Sequence, residues 1–160
     1  MSKKTFEIER RFTVDYEKFD VYMYQRFGTT WHGQGERLLQ FYIANDPAVR
    51  VRVYSEHTAE LTIKGEGTLV RQEVNVPIAV EHAMNLLQFA RSRLQKTRYN
   101  FVHGDHVWTV DDFGDNHLLA EIELDNEFES FERPAWTLEE VTYDQRFNSA
   151  RISIDGFPVD

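Results

Sequence analysis

Charged side chains recur at every second position inside segments that otherwise read as strands, and this spacing is where chemistry could arise. Glu7, Glu9 and Arg11 form one row, Arg50 and Arg52 a second, and Glu60, Thr62 and Lys64 a third. Arg71, Glu73 and Asn75 follow, then Lys96 and Arg98, then Thr109 and Asp111, then Glu121, Glu123 and Asp125. Residues two apart on a strand share a face, so each row presents its charges to one side. Any antiparallel sheet with a solvated face shows such alternation, and a solvated surface is one reading of all the rows. A closed barrel gives the other, because its inner faces converge on one interior. An interior of mixed sign is costly unless its charges pair or hold a ligand. Arginines and lysines from several strands would surround a polyanion, while glutamates from two strands could carry a divalent cation bridging phosphate oxygens. A triphosphate with Mg2+ or Mn2+ fits that description.

The elements that must carry these rows can be read from periodicity and turn residues. Strand alternation is expected over residues 5–14, 38–43, 49–54, 59–64, 69–76, 94–102, 106–113 and 118–124, with a ninth candidate at 151–154. Asn45-Asp46-Pro47, Gly65-Glu66-Gly67, His103-Gly104-Asp105 and Gly114-Asp115-Asn116 mark the turns. Helices are expected over 16–27 and 80–92, the second with Ala83, Leu86, Leu87 and Ala90 on one face, and a short turn or helix near Thr142. The expected architecture is mainly β with some helix (α+β): an eight-stranded antiparallel β-barrel with helices packed outside, as one domain over residues 1–160.

Composition narrows the function. The chain has 160 residues, enough for one domain with a sizeable core. Its net charge of -9 argues against a surface built for nucleic acid or anionic lipid. Residues 1–100 carry 15 basic and 12 acidic side chains, whereas residues 101–160 carry 3 and 15, so the first part is net +3 and the last net -12. Glu127, Glu129, Glu132, Glu139 and Glu140 read as a solvated acidic loop. Cysteine is absent, which removes thiolate nucleophiles and cysteine-bound zinc, so a metal must sit on oxygen or histidine. Residues 1–5 run into strand without the apolar stretch of a secretory signal, and no bilayer-length apolar run exists, so a cytoplasmic protein without a membrane partner is expected. Lys64-Gly65-Glu66-Gly67 lacks the pattern of a phosphate-binding P-loop and reads as a hairpin turn. His103 and His106 flank a turn and read as surface histidines.

Taken in order, these rows resemble the triphosphate tunnel metalloenzymes, the CYTH superfamily, and are closest to its short bacterial members. Glu7-Ile8-Glu9-Arg10-Arg11-Phe12 resembles the family's E-x-E-x-K signature, with Arg11 at the lysine position. Gln40-Phe41-Tyr42, Arg50-Val51-Arg52, Leu61-Thr62-Ile63-Lys64 and Arg71-Gln72-Glu73 resemble its successive strand motifs. Lys96-Thr97-Arg98-Tyr99, Val110-Asp111-Asp112-Phe113, Ala120-Glu121-Ile122-Glu123-Leu124, and Glu140-Val141-Thr142 with Asp144, Arg146, Phe147 and Asn148 continue the series.

The resemblance implies a β tunnel that holds polyphosphate on inward basic residues and a divalent metal, Mg2+ or Mn2+, on acidic ones. Glu7, Glu9, Glu121, Glu123 and Asp111 are then the metal candidates. Arg11, Arg50, Arg52, Lys64, Arg71, Lys96, Arg98 and Arg146 are the phosphate candidates, with Arg146 at one end of the tunnel and Glu73 orienting its neighbours. In several hydrolytic relatives the signature lysine, with a tyrosine resembling Tyr42, is thought to activate water. Arg11 cannot readily lose a proton, so Glu9 or Glu123 is the better candidate for orienting water. Thr109 stands where close relatives often carry an acid.

Fold does not choose among the family's activities. Metal-dependent hydrolysis of a small triphosphate, inorganic triphosphate to pyrophosphate and phosphate, leads. Adenylate cyclase of the class IV type, a nucleoside or thiamine triphosphatase, and a non-catalytic polyphosphate or nucleotide sensor are the alternatives. Thiamine triphosphate would need an aromatic or apolar patch at the tunnel mouth, for which Trp31, Trp108 and Trp136 are the candidates, although each such residue is more often core; a cyclase would need an adenine pocket, which nothing in the sequence demonstrates. The expected partner is a small-molecule triphosphate rather than nucleic acid, and a homodimer is left open.

Overall fold

The computed structural model describes residues 6–159; the charged segment at residues 1–5, and with it the expected start of the first strand, lies outside them. Among the described residues nine strands are present: β1 (Phe6–Val14), β2 (Glu36–Asn45), β3 (Ala48–Tyr54), β4 (Thr58–Lys64), β5 (Val70–Ile78), β6 (Ser92–His103), β7 (His106–Asp112), β8 (Leu118–Glu123) and β9 (Thr137–Glu140). Every pairing is antiparallel, in the order β5-β4-β3-β2-β6-β7-β8-β1-β9, and β5 also pairs with β1. That last pairing closes an eight-stranded barrel, with Phe6, Glu7 and Ile8 facing Gln72, Arg71 and Val70. Beyond Ile8, β9 takes the edge of β1 that β5 leaves, pairing Phe12 with Glu140 and Val14 with Thr137.

Three helices lie outside the sheet or at its end: α1 (Tyr16–Phe27), α2 (Val80–Leu86) and α3 (Ser149–Asp155). Asp15 caps α1 by accepting the Lys18 amide at 3.1 Å, and Gly28 ends it at φ 69, a left-handed conformation that suits glycine. The helix sinks Phe19 and Met23 into the outer face of the barrel, among Trp31, Phe101, Trp108 and Trp136. Around α2, Ala83 with Leu86, Leu87 and Ala90 covers Phe41, Val51, Val53 and Ala59, as the apolar stripe predicts. That helix is shorter than the expected 80–92, giving way to a 3-10 turn at Leu87–Phe89, because Ser92 must already pair with Tyr42 as β6 begins.

Two expectations fail at the C-terminal end. Residues 151–154 are helical rather than a ninth strand: the Asn148 side chain caps α3 by accepting the Ala150 amide, and Ile152 alone is buried there. The ninth strand is Thr137–Glu140, within the stretch read as solvated loop, where Glu140 is held by Arg10. The apolar cores thus sit between barrel and helices, and the barrel interior is left to the polar rows.

Candidate active site

The inward rows meet in one cavity of about 1110 Å3. Glu7, Glu9 and Arg11 enter it from β1, Arg50 and Arg52 from β3, Lys64 from β4, Arg71 and Glu73 from β5, Lys96 and Arg98 from β6, and Glu121 and Glu123 from β8. The solvated-surface reading is thereby excluded for these side chains: Arg11, Arg50, Arg52, Arg71 and Lys96 are all buried, each 4–9% exposed. The loops at 45–48 and 65–68 line the cavity too. In the second of these, a Cβ on Gly67 would lie 2.2 Å from the Val70 carbonyl oxygen, so the turn requires glycine. At one end the segment carrying Thr142, Gln145, Asn148 and Ser149 forms the wall; there Arg11 donates to the Phe147 carbonyl at 3.2 Å and Lys96 to Ser149 Oγ at 3.4 Å.

The charges inside are sorted. Glu9 lies directly across from Glu123, and Arg11 across from Glu121; like charges in register repel unless a cation intervenes. Arg11 bridges Glu9 at 2.6 Å and lies 3.3 Å from Glu121, while Lys64 holds Glu7 at 2.9 Å. Burial, with Glu9 and Glu73 nearby, still pushes the Glu7 carboxyl up to about 8 against the pull of Lys64. Burial acts on Glu9 in the same sense, but Arg11 and Lys64 outweigh it and hold that carboxylate well below the usual range. Arg11, although buried, is held protonated even more firmly than usual by Glu121 and Glu9. Among the described residues, no three carboxylates or imidazoles converge on a common point as a cation site, because Glu7 and Glu9 are drawn to Lys64 and Arg11.

The opposite wall is cationic. Burial, with Arg50 and Arg98 close by, lowers the Arg52 guanidinium from its ordinary value. Arg52 donates through Nε to Gln40 Oε1 at 3.0 Å, and Gln40 donates to Tyr42 Oη at 3.1 Å. The Tyr42 hydroxyl therefore accepts from Gln40 and keeps its own hydrogen for another acceptor. Burial raises it despite Arg50 and Arg52, so Tyr42 is a phenol and not a phenolate.

The profile of the CYTH domain matches residues 5–153 of this sequence. The chain belongs to the CYTH family. An inorganic triphosphatase from Acetivibrio thermocellus is 34% identical to this CYTH domain over 152 residues, spanning 91% of this chain and 92% of its own. The crystal structure of the inorganic triphosphatase NE1496 aligns with TM-score 0.59 at 27% identity, over 96% of this chain and 95% of that one. The PH1012 protein of Pyrococcus horikoshii shares the fold, with TM-score 0.56 at 18% identity over 76% of this chain and 79% of its own.

Two of the sequence candidates stand apart from the rest of the CYTH site. Asp111, expected among the metal ligands, does not line the cavity: it is 1% exposed and accepts from Lys96 at 2.6 Å and from Arg98 at 2.8 and 2.9 Å. Its oxygens are committed to holding two phosphate-binding candidates upright. Arg146 points outward, paired with Asp144 at 2.7 Å, and the end of the tunnel is closed instead by the segment around it. Trp31, Trp108 and Trp136 are 1%, 0% and 3% exposed in the core outside the barrel, so none forms an aromatic mouth. Sequence reasoning missed Gln40, a fully buried amide that joins Arg52 to Tyr42; its position two before Tyr42 on β2 was the available signal. It also missed the His106–Glu129 pair at the mouth, whose partners are 23 residues apart.

Burial drives the Lys96 ammonium down to about 8, partly opposed by Asp111 and reinforced by Arg52 and Arg98. In the unfolded chain the same group keeps its proton to about its ordinary value of 10.5, so between these values the unfolded state binds more protons and stability climbs with pH. Denaturant midpoints measured from pH 8 to 10 should therefore show an upward contribution that Lys96→Met lacks. Parallel curves for the two proteins would contradict it.

Proposed function

We propose that this CYTH domain is a metal-dependent hydrolase of small triphosphates and that it converts inorganic triphosphate to pyrophosphate and phosphate. The observation that carries the reading is the charged cavity: cations from the four strands β3, β4, β5 and β6, and carboxylates of β1 and β8 with Arg11 among them. Among the described residues its wall offers only Tyr42, Tyr54 and His106 as rings, little for a nucleobase or a thiamine ring to stack on, which favours the inorganic substrate.

Arg50, Arg52, Lys64, Arg71, Lys96 and Arg98 would hold the phosphate oxygens, with the guanidinium groups suited to paired contacts. The buried Arg50 Nε–H has no hydrogen-bond partner among the described residues. Tyr42 would add an O–H donor. Glu7, Glu9, Glu121 and Glu123 supply hard oxygen donors, with Glu9 directly across from Glu123, so the donor chemistry fits Mg2+ or Mn2+. A divalent cation bound there supplies neutralisation of the charge that develops on the phosphoryl group. Glu9, held ionised, or Glu123 would orient the attacking water and accept its proton, while Arg11 stays charged and clamps Glu9 and phosphate. Leaving-group charge would fall on oxygens already gripped by the cationic wall.

ATP separates hydrolysis from cyclisation. If ATP is cut at all with Mg2+ or Mn2+, ADP and phosphate are expected by chromatography. Cyclic AMP with pyrophosphate would instead make the protein a cyclase.

A further inference from the structure

A chain of hydrogen bonds crosses β3, β4 and β5 in one direction. Arg50 Nη2 donates to Thr62 Oγ1 at 3.1 Å. With its oxygen so used, the Thr62 hydroxyl donates its hydrogen to Asn75 Oδ1 at 2.6 Å. The Asn75 amide then presents Nδ2 to Glu73 Oε1 at 2.7 Å. Direction is forced at both ends, since a guanidinium can only donate and an ionised carboxylate can only accept. Strand register brings the links together: Arg50 faces Thr62, and Thr62 faces Asn75. Glu60 is a second, longer acceptor, 3.4 Å from Thr62 Oγ1 and 3.9 Å from Arg50, against 2.6 Å between Thr62 and Asn75. Thr62 is wholly buried and Arg50 nearly so, so water cannot replace a missing link without a cavity to hold it.

We propose that Thr62 and Asn75 are positioning residues that set the rotation of the Arg50 guanidinium and couple it to the Glu73 carboxylate two strands away along the cavity wall. Neither residue needs to touch the substrate. Thr62 occupies one Nη2–H of Arg50 and thereby fixes which way the remaining N–H groups of that guanidinium face. Asn75 makes that setting depend on Glu73, so displacement of Arg50 by a bound anion is transmitted to Glu73. The functional part of the inference rests on the triphosphate-binding reading above.

The test compares Thr62→Val, which keeps the shape and removes both bonds, with Thr62→Ser, which keeps both, and with Asn75→Ala, which cuts the chain one link away. For inorganic triphosphate with Mg2+, Thr62→Val should raise KM about tenfold, the scale of effect when a buried charged donor loses its acceptor. Its kcat should stay within about threefold, because the lost bond orients binding rather than attack. Asn75→Ala should shift KM in the same direction by less, and Thr62→Ser should restore the parent value. A parallel 15N NMR measurement reads Arg50 directly, assigned through Arg50→Lys. Hindered rotation of its guanidinium in the parent and in Thr62→Ser, lost in Thr62→Val, supports the chain. If the parent cleaves no triphosphate, the hydrolase reading fails and the NMR comparison alone decides the positioning role. Equal KM for all variants in an active parent, or unchanged Arg50 rotation in folded Thr62→Val, overturns the inference. If Thr62→Val does not fold, Asn75→Ala carries the same two readouts.

Discussion

Glu9→Gln should abolish metal-dependent turnover of inorganic triphosphate, with a loss of at least about a hundredfold in kcat. Glu9 is buried yet ionised, because Arg11 at 2.6 Å and the nearby Lys64 outweigh the cost of its desolvation. It stands opposite Glu123 across β1 and β8, in the acidic zone that fits a divalent cation. The amide keeps the shape of the side chain but removes the charge that attracts the cation and the basic oxygen that could take a proton from water. Arg11 loses one partner and retains Glu121 at 3.3 Å, so the fold should survive. Circular dichroism together with initial rates at several Mg2+ concentrations checks this. Glu123→Gln should act in the same direction. Turnover equal to that of the parent protein with Mg2+ would remove both residues from the mechanism.

The second large effect concerns stability. Asp111→Asn should destabilise the fold by about 3–5 kcal/mol, since breaking a buried ion pair leaves an uncompensated charge in low dielectric. The Lys96 and Asp111 side chains are each 1% exposed, and Arg98 is 18% exposed, so Lys96 bears most of the penalty. For a chain of this size the shift in melting temperature should be on the order of 10 °C. Adding Lys96→Met to Asp111→Asn should recover much of the loss, because the stranded charge is then gone. Denaturant titration of the parent and the single and double variants measures it. A loss under about 1 kcal/mol for Asp111→Asn would show that these groups are solvated in solution. The same measurement separates a supporting Asp111 from a metal-binding one, since a carboxylate held only for a metal should leave the metal-free protein little changed when it is neutralised.

Asp111 also shows where sequence reading reached its limit. The alternation of charge placed Asp111 on the inner face correctly, because side-chain direction on a strand has period two. Alternation carries no information about position along the barrel axis, and there Asp111 lies against Lys96 and Arg98 instead of the β1 and β8 glutamates. Arg146 went astray for a related reason: it follows Asp144 on a 3-10 turn, and a residue two positions away captures it. The strands from β2 to β8 were legible because their outer faces are apolar and most of their turns carry glycine, proline, aspartate or asparagine, the Ser55-Glu56-His57 turn between β3 and β4 excepted. β9 was not, since Thr137-Leu138-Glu139-Glu140 has only four residues and is fixed by the edge of β1 that β5 vacates. Helix α3 contains Ile152 and Ile154, which alternate as a strand would, and the Asn148 cap decides against that reading. Thr62 and Asn75 were visible as members of their rows, but the direction of their hydrogen bonds needed the registers of β3, β4 and β5.

The central claim is that the charged cavity hydrolyses inorganic triphosphate with a divalent cation. It is tested most directly by incubating the purified protein with inorganic triphosphate and Mg2+, Mn2+ or chelator and following all products by phosphorus NMR. The account predicts equimolar pyrophosphate and phosphate over many turnovers, formed only with metal and faster than any product from ATP or thiamine triphosphate. Tight binding of inorganic triphosphate by folded protein, without turnover under any metal, would contradict it and make the cavity a polyphosphate-binding site.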